Sequence, residues 1–390
     1  MLTRNINFQN FKLKKINNLK KKLSKIIKSE ILISKYPLLK SLQPNYIYSF
    51  KKKKLRYLKK FPEYNLIGMG GSVLGAEAIY SFLKHKINKK FNFYNNISNF
   101  KILKSKKRYL NIVISKSGNT LETFTNLNLV LSNQKKNDNL IITQNDDSII
   151  RKLAYRIKAD VVEHKNYIGG RYSVLSEVGM LPAELMGLNE KKFKKYNYLL
   201  KKKTFINHLI DNVIFIRKLM ISGKKNSVIL NYDQKSENFF KWYQQLTAES
   251  LGKKGFGIFP IISTMPKDNH SLLQLYLDGP KDKFYTFFSV REKNSHNYNK
   301  SFLVDDYKKL VNKDVDKVLH AQKYATENIF RKKKLHFRTF EIFNRNEETL
   351  GELFCFFILE TLLLGELLNI NPLNQPSVEL IKTETKKILK

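Results

Sequence analysis

Cysteine is almost absent. The 390 residues contain one, Cys355, so no internal disulfide and no Cys-rich metal site can form. It lies in an apolar run and reads as a small buried hydrophobe. The seven His residues show no metal-ligand spacing. Acidic residues are scarce: 33 Asp and Glu face 72 Lys and Arg, a net charge of +39. No apolar run is clean enough for a membrane span. The nearest candidate, residues 349–370, carries Glu352, Glu360 and Glu366. Three carboxylates at bilayer depth would be costly, so this stretch reads as a buried core helix. Residues 1–30 lack the apolar stretch of a secretory signal, and a single Arg, Arg4, makes a poor transit peptide. The expectation is a cytoplasmic protein with no membrane partner.

What is present points to a globular chain. Hydrophobic residues make up 42% and aromatics 12%, enough for a large core. At roughly 100–200 residues per domain, the length suggests two domains. The basic excess has no single home: Lys clusters recur at 12–22, 51–60, 101–107 and 191–203. That spread reads as a chain-wide bias with solvated Lys faces, and no nucleic-acid partner is expected. The positive field would still steer an anionic substrate.

Short apolar runs alternate with helical spacing. Residues 11–60 read as one or two amphipathic helices. Strands are expected at 65–69, 111–114, 140–143, 160–163, 227–231, 257–262, 285–290 and 336–342. Helices are expected at 72–83, after residue 120, at 237–251, at 349–369 and from Pro372 to the end. Strand–helix alternation implies parallel sheets covered on both faces. The charged stretch 191–203 is a plausible boundary.

Two turns carry chemistry. Gly68-Met69-Gly70-Gly71-Ser72-Val73-Leu74-Gly75 lies where a strand enters a helix, and lets backbone approach a ligand. Alone it is equally a nucleotide site or a tight crossover. Ser115-Lys116-Ser117-Gly118-Asn119-Thr120-Leu121-Glu122-Thr123 is another strand-to-helix turn, with four hydroxyls, an amide and a Lys. An N-cap explains one hydroxyl, not four. The turn reads as a phosphate cradle, and it lacks the spacing of a nucleotide P-loop.

Together these turns resemble the sugar isomerase domain of the glucose-6-phosphate isomerase family, in its short bacterial type. Four further elements follow in that family's order: Gly169-Gly170-Arg171-Tyr172-Ser173, residues 245–253 around Glu249, Asp268-Asn269-His270-Ser271, and Asn374-Gln375-Pro376-Ser377-Val378-Glu379-Leu380-Ile381-Lys382. Residues 263–268 depart from the family's Gly-rich loop, and Ser377 and Ile381 stand where it usually has Gly. The resemblance covers residues 62–382.

The resemblance implies an α/β fold of two three-layer αβα sugar isomerase domains with parallel sheets, plus a C-terminal helical tail. The implied division is a basic helical segment at 1–45, domains at 46–195 and 196–370, and a tail at 371–390 that returns to the active site. The implied activity is reversible isomerisation of glucose 6-phosphate and fructose 6-phosphate through an enediol, in glycolysis and gluconeogenesis. Glu249 would be the base, Arg171 would stabilise the enediolate, and His270 and Lys382 would assist ring opening. Gly71, Ser72, Ser115, Lys116, Ser117, Thr120, Gln245 and Gln375 would bind substrate. No metal or cofactor is implied, because a proton moves between adjacent carbons without net redox change. A homodimer is implied, with His270 contributed across the interface. Glu249 falls in the last turn before Gly252, with Gln245 one turn earlier on the same face. Two other readings stay open: a sugar-phosphate sensor, which would keep the cradle and lose Glu249 and Arg171, and additional action on mannose 6-phosphate.

Overall fold

The computed structural model describes residues 1–11, 17–28, 31–98, 108–132, 138–292 and 295–389. The Lys cluster at 101–107 and residues 12–16 of the first cluster lie outside the described residues. Among those described, ten strands occur: β1 (Ile6–Gln9), β2 (Glu63–Gly68), β3 (Lys90–Tyr94), β4 (Tyr109–Ile114), β5 (Asp138–Thr143), β6 (Asp160–Glu163), β7 (Asn226–Asn231), β8 (Phe259–Thr264), β9 (Lys283–Val290) and β10 (Phe337–Ile342). They form two five-stranded sheets. One has the order β3-β2-β4-β5-β6 and is wholly parallel. The other has the order β1-β10-β9-β7-β8 and is parallel except for β1, which pairs antiparallel with β10.

Alternation along the strands explains the layers. Side chains of successive strand residues point to opposite faces. In the first sheet Leu66, Ile112 and Leu140 join the large central cluster. Their neighbours Ile67, Val113 and Ile141 pack instead with Leu127, Val130, Ile150 and Ala154. Those last four belong to the helices Leu121–Ser132 and Ile149–Arg156. The second sheet divides the same way. Ile229, Phe284, Phe288 and Phe340 face the central cluster, while Val228, Leu230, Tyr285 and Phe287 pack with Phe330 of the helix Val315–Lys332. Each sheet thus has an apolar cluster on both faces of its inner strands, as parallel sheets require.

All eight expected strands are present, with ends displaced by at most two residues. The long apolar run forms the helix Glu347–Leu368, started by an Asn346 cap and ended by left-handed Asn369. Its carboxylates are each matched. Glu352 accepts from Thr3 at 2.7 Å, Glu360 pairs with the buried Arg338, and Glu366 pairs with Lys35 at 2.6 Å. Cys355 is fully buried there, and burial pushes its thiol up to about 12. Among the described residues no helix is long and apolar enough to cross a membrane.

Three departures stand out. The helical reading of 11–60 breaks into the helices Asn17–Lys28, Ile31–Lys35 and Lys52–Leu58, with a 3-10 turn at Pro37–Leu42. Pro37 suits such a start because its fixed φ and missing N–H cost nothing there. The edge strands β1 and β3 are unexpected, as are the helices Lys203–Ile221 and Val315–Lys332.

Candidate active site

The site begins at the carboxyl ends of β2 and β4, where open α/β sheets present their loops. After β4, the Ser115 N–H donates to Ile142 O at 3.1 Å, which carries the strand pairing one residue into the turn. Gly118 then turns the chain at φ +64. A Cβ there would stand 2.1 Å from Ser148 Oγ, so the turn admits only glycine without movement. The hydroxyls of Ser115 and Thr120 lie 3.2 Å apart, and the Asn119 N–H donates to Ser117 Oγ at 3.3 Å. The Lys116 ammonium donates to Asn166 O at 2.9 Å. Burial, and then the charge of Arg171, pull that ammonium below the usual lysine range. The cradle and Arg171 therefore share one electrostatic neighbourhood.

The glycine turn after β2 closes on the same place. Gly70 sits at φ +54, and a Cβ on it would meet Gln245 Nε2 at 2.8 Å. A Cβ on Gly71 would meet the Gly170 carbonyl carbon at 2.3 Å. The 3-10 turn Gly70–Ser72 is thus pressed between the Gln245 amide and the backbone that leads into Arg171. Gln245 Oε1 is buried and has no hydrogen-bond partner among the described residues.

Arg171 is the hub. Its side chain is 2% exposed and reaches Glu249 Oε1 at 3.1 Å. Its Nε donates to Ser250 Oγ at 2.8 Å, and Nη2 donates to Pro372 O at 2.6 Å and Asn374 O at 3.3 Å. Nη1 also donates to Gln375 Oε1. Glu249 lies in the last turn of the helix Glu237–Leu251, with Gln245 one turn back. Tyr172 and Trp242 brace the hub: Tyr172 OH meets Ser250 Oγ at 2.7 Å, and Trp242 Nε1 donates to Arg171 O at 3.2 Å.

Gln375 is the N-cap position of the C-terminal helix Pro376–Ile388. That helix returns over the cradle. A cleft of about 340 Å³ is lined by Ser117, Asn119 and Thr120 on one side and by Ile381, Lys382 and Lys386 on the other. Lys382 is held by Glu379 at 2.6 Å in an exposed i,i+3 pair.

Eleven of the twelve residues named from the sequence are thereby drawn into one region: Gly71, Ser72, Ser115, Lys116, Ser117, Thr120, Arg171, Gln245, Glu249, Gln375 and Lys382. His270 is not. It follows the 3-10 turn Lys267–Asn269 beyond β8 and precedes the short helix Leu273–Asp278. Asp268 organises that turn by accepting from the Thr264 N–H at 2.8 Å and Ser263 Oγ at 2.9 Å. The His270 ring is exposed and makes no hydrogen bond or ion pair among the described residues. Ser250, Lys253 and Asn374 went unselected in the sequence. Only their adjacency to Glu249 or Gln375 could have marked them.

The family model described as phosphoglucose isomerase matches residues 56–256. A probable glucose-6-phosphate isomerase from Methanococcus maripaludis is 31% identical over 96% of this chain and 89% of its own length. The glucose-6-phosphate isomerase of Methanocaldococcus jannaschii is 32% identical over 88% of this chain and 87% of its own. In fold, a hypothetical protein from Thermus thermophilus is similar at a TM-score of 0.80, with 22% identity, 95% of this chain covered and 94% of that one. A glucose-6-phosphate isomerase from Chlamydia trachomatis is similar at 0.67, with 17% identity and coverage of 97% and 80%. With relatives matched along nearly its whole length and a family model matched over more than half of it, this chain belongs to the phosphoglucose isomerase family.

Proposed function

We propose that the chain interconverts glucose 6-phosphate and fructose 6-phosphate by moving one proton between C2 and C1. The observation that carries this reading is the 3.1 Å pairing of Glu249 with Arg171 beside a hydroxyl-rich turn. A carboxylate, a fixed guanidinium and a phosphate cradle are the three parts such a reaction asks of a protein.

Ser115, Ser117, Thr120 and the backbone around Lys116 hold the phosphate. Gly71, Ser72 and Gln245 face the sugar, and the unpartnered Gln245 Oε1 is an acceptor for a sugar hydroxyl. Glu249 takes the proton from C2 and returns it at C1. Arg171 stabilises the negative oxygen of the enediolate, as a preorganised donor does in a water-poor site. Its bonds to Ser250, Pro372 and Gln375 fix it before substrate arrives. Lys382 and His270 assist opening of the cyclic sugar. His270, exposed and without a side-chain partner among the described residues, fits a role across a homodimer interface. Both carboxylate and guanidinium are retained, which favours catalysis over a sensor.

The test is an assay supplying fructose 6-phosphate and following glucose 6-phosphate. A general base contributes about 10²–10⁴-fold. Glu249→Gln should lose that much turnover and still bind fructose 6-phosphate. A parent enzyme that forms no product removes the activity, and a variant with parental turnover removes the base.

A further inference from the structure

The C-terminal helix Pro376–Ile388 buries none of its residues. Its place over the cradle therefore depends on the segment that precedes it. Residues 371–375 leave the buried helix Glu347–Leu368 and run past Arg171. Behind them is a gap of about 670 Å³, lined by Lys253, Lys254, Phe256, Asn371, Asn374 and Ser377. Pro372 is buried against the helix at Gly365, but on the side of the gap the segment is held by hydrogen bonds. Arg171 and Tyr172 hold Pro372 O, and Arg171 holds Asn374 O and Gln375. The first residue is held by another cation: Lys253 Nζ donates to Asn371 O at 2.7 Å and to Ser250 O at 3.0 Å.

We infer that Lys253 is a positioning residue, which ties the end of the Glu249 helix to residue 371 and so sets Gln375 and Lys382 against the substrate. Several features support this. Ser250 O is one of the carbonyls that a helix C-terminus leaves without an internal partner, and an ammonium is well suited to it. Ser250 is bonded from both sides, through its hydroxyl by Arg171 and through its carbonyl by Lys253. The placement carries a cost. Burial, and then the Arg171 charge, pull the Lys253 ammonium down to about 8, with Glu249 opposing. A cation retained beside another cation is compensated by the bonds it makes, and those bonds reach the strap. Lys253 acts through other residues and touches none of the reacting atoms.

This inference rests on the activity proposed above, and two readouts separate their failures. In the full chain, Lys253→Met should keep a melting temperature near the parent's and lower kcat for fructose 6-phosphate tenfold or more. Without substrate, trypsin should cut residues 376–389 several-fold faster than in the parent. Lys253→Arg, which can still donate to both carbonyls, should restore kcat to within threefold. If Lys253→Met does not fold, Lys253→Gln takes its place in every arm. Turnover within twofold of the parent, or a loss that arginine fails to rescue, overturns the inference. If the parent itself is inactive, the cleavage rate alone decides, and an unchanged rate overturns it.

Discussion

His164 shows how a single residue acquires a property no local pattern announces. It follows β6, where its N–H donates to Thr143 O at 2.8 Å, and the ring is buried with Nδ1 3.1 Å from Lys165 O. Burial foremost, with the Lys116 charge adding, pulls its pKa down to about 4. The sign follows from linkage. The unfolded chain takes up a proton near pH 6.5 and the folded one only near 4, so stability present above 6.5 is lost as pH falls through that window. A shift of this size is worth about 3 kcal/mol. His164→Asn cannot titrate, so denaturant melts between pH 7 and pH 4.5 should fall less steeply for the variant than for the parent. Parallel slopes would show that the ring is already charged in the fold. A neutral ring there adds no charge beside Lys116. The sequence does not show this, because the burial depends on the pairing of β6 with β5 and on what covers their ends. Glu249 and Arg171 were nameable through their motifs, but their ion pair was not, since it joins two helical turns that only the fold brings together.

Elements were legible where their burial was uniform. The inner strands β4 and β9 are mostly apolar, and β7 has the apolar centre Val228-Ile229-Leu230, so each reads as a strand without a partner in view. The edge strands are not of that kind. β1 is four residues with two of them buried, and β3 mixes Lys, Asn and Phe. Each is fixed by a neighbour that only tertiary structure supplies. The helix Lys203–Ile221 is hard to see in the sequence because its buried Phe, Ile and Leu positions follow a Lys-rich stretch that reads as a boundary. Turns were legible through glycine, and Gly118 allows a matched comparison. Gly118 and Gly187 both have positive φ, +64 and +86, but a Cβ on Gly187 would meet nothing within 4 Å. Both Gly→Ala changes bear the left-handed strain of about 1–2 kcal/mol. Only Gly118→Ala must also displace Ser148. It should therefore melt at lower denaturant than Gly187→Ala and, unlike it, bind inorganic phosphate at least tenfold more weakly. Equal phosphate affinities in the two variants would remove the turn at 115–120 from the proposed cradle.

At the scale of the molecule, the two sheets share one apolar layer and differ at their carboxyl edges. The first sheet leaves its edge open at the glycine turn and the cradle. The second closes its edge with ion pairs: Arg345 to Asp233 and to Glu292, each at 2.7 Å, and Arg291 to Glu341 at 2.7 Å. At that edge these charges satisfy one another, whereas among the described residues the hydroxyls of Ser115 and Thr120 at the first sheet's edge pair only with each other. The N-terminal strand completes the second sheet from the far end of the chain. Phe8 of β1 packs on Phe340 at 4.5 Å and Phe356 at 5.5 Å between ring centres, and Thr3 and Asn5 satisfy the buried Glu352 carboxylate. Phe8→Ala removes the apolar anchor of that strand, a loss of about 3–5 kcal/mol for a buried Phe. It should also loosen the donors to Glu352, whose carboxyl burial already pushes upward. Because β10 would then present an unpaired edge, the variant should aggregate on heating, as exposed edges do. The cradle lies on the other sheet, so phosphate affinity measured below the melting transition should stay within twofold of the parent. A variant that melts with the parent would mean that β1 adds no stability to the second sheet. A variant that loses phosphate binding while still folded would mean that the shared layer transmits a change at one sheet's edge to the other sheet's cradle.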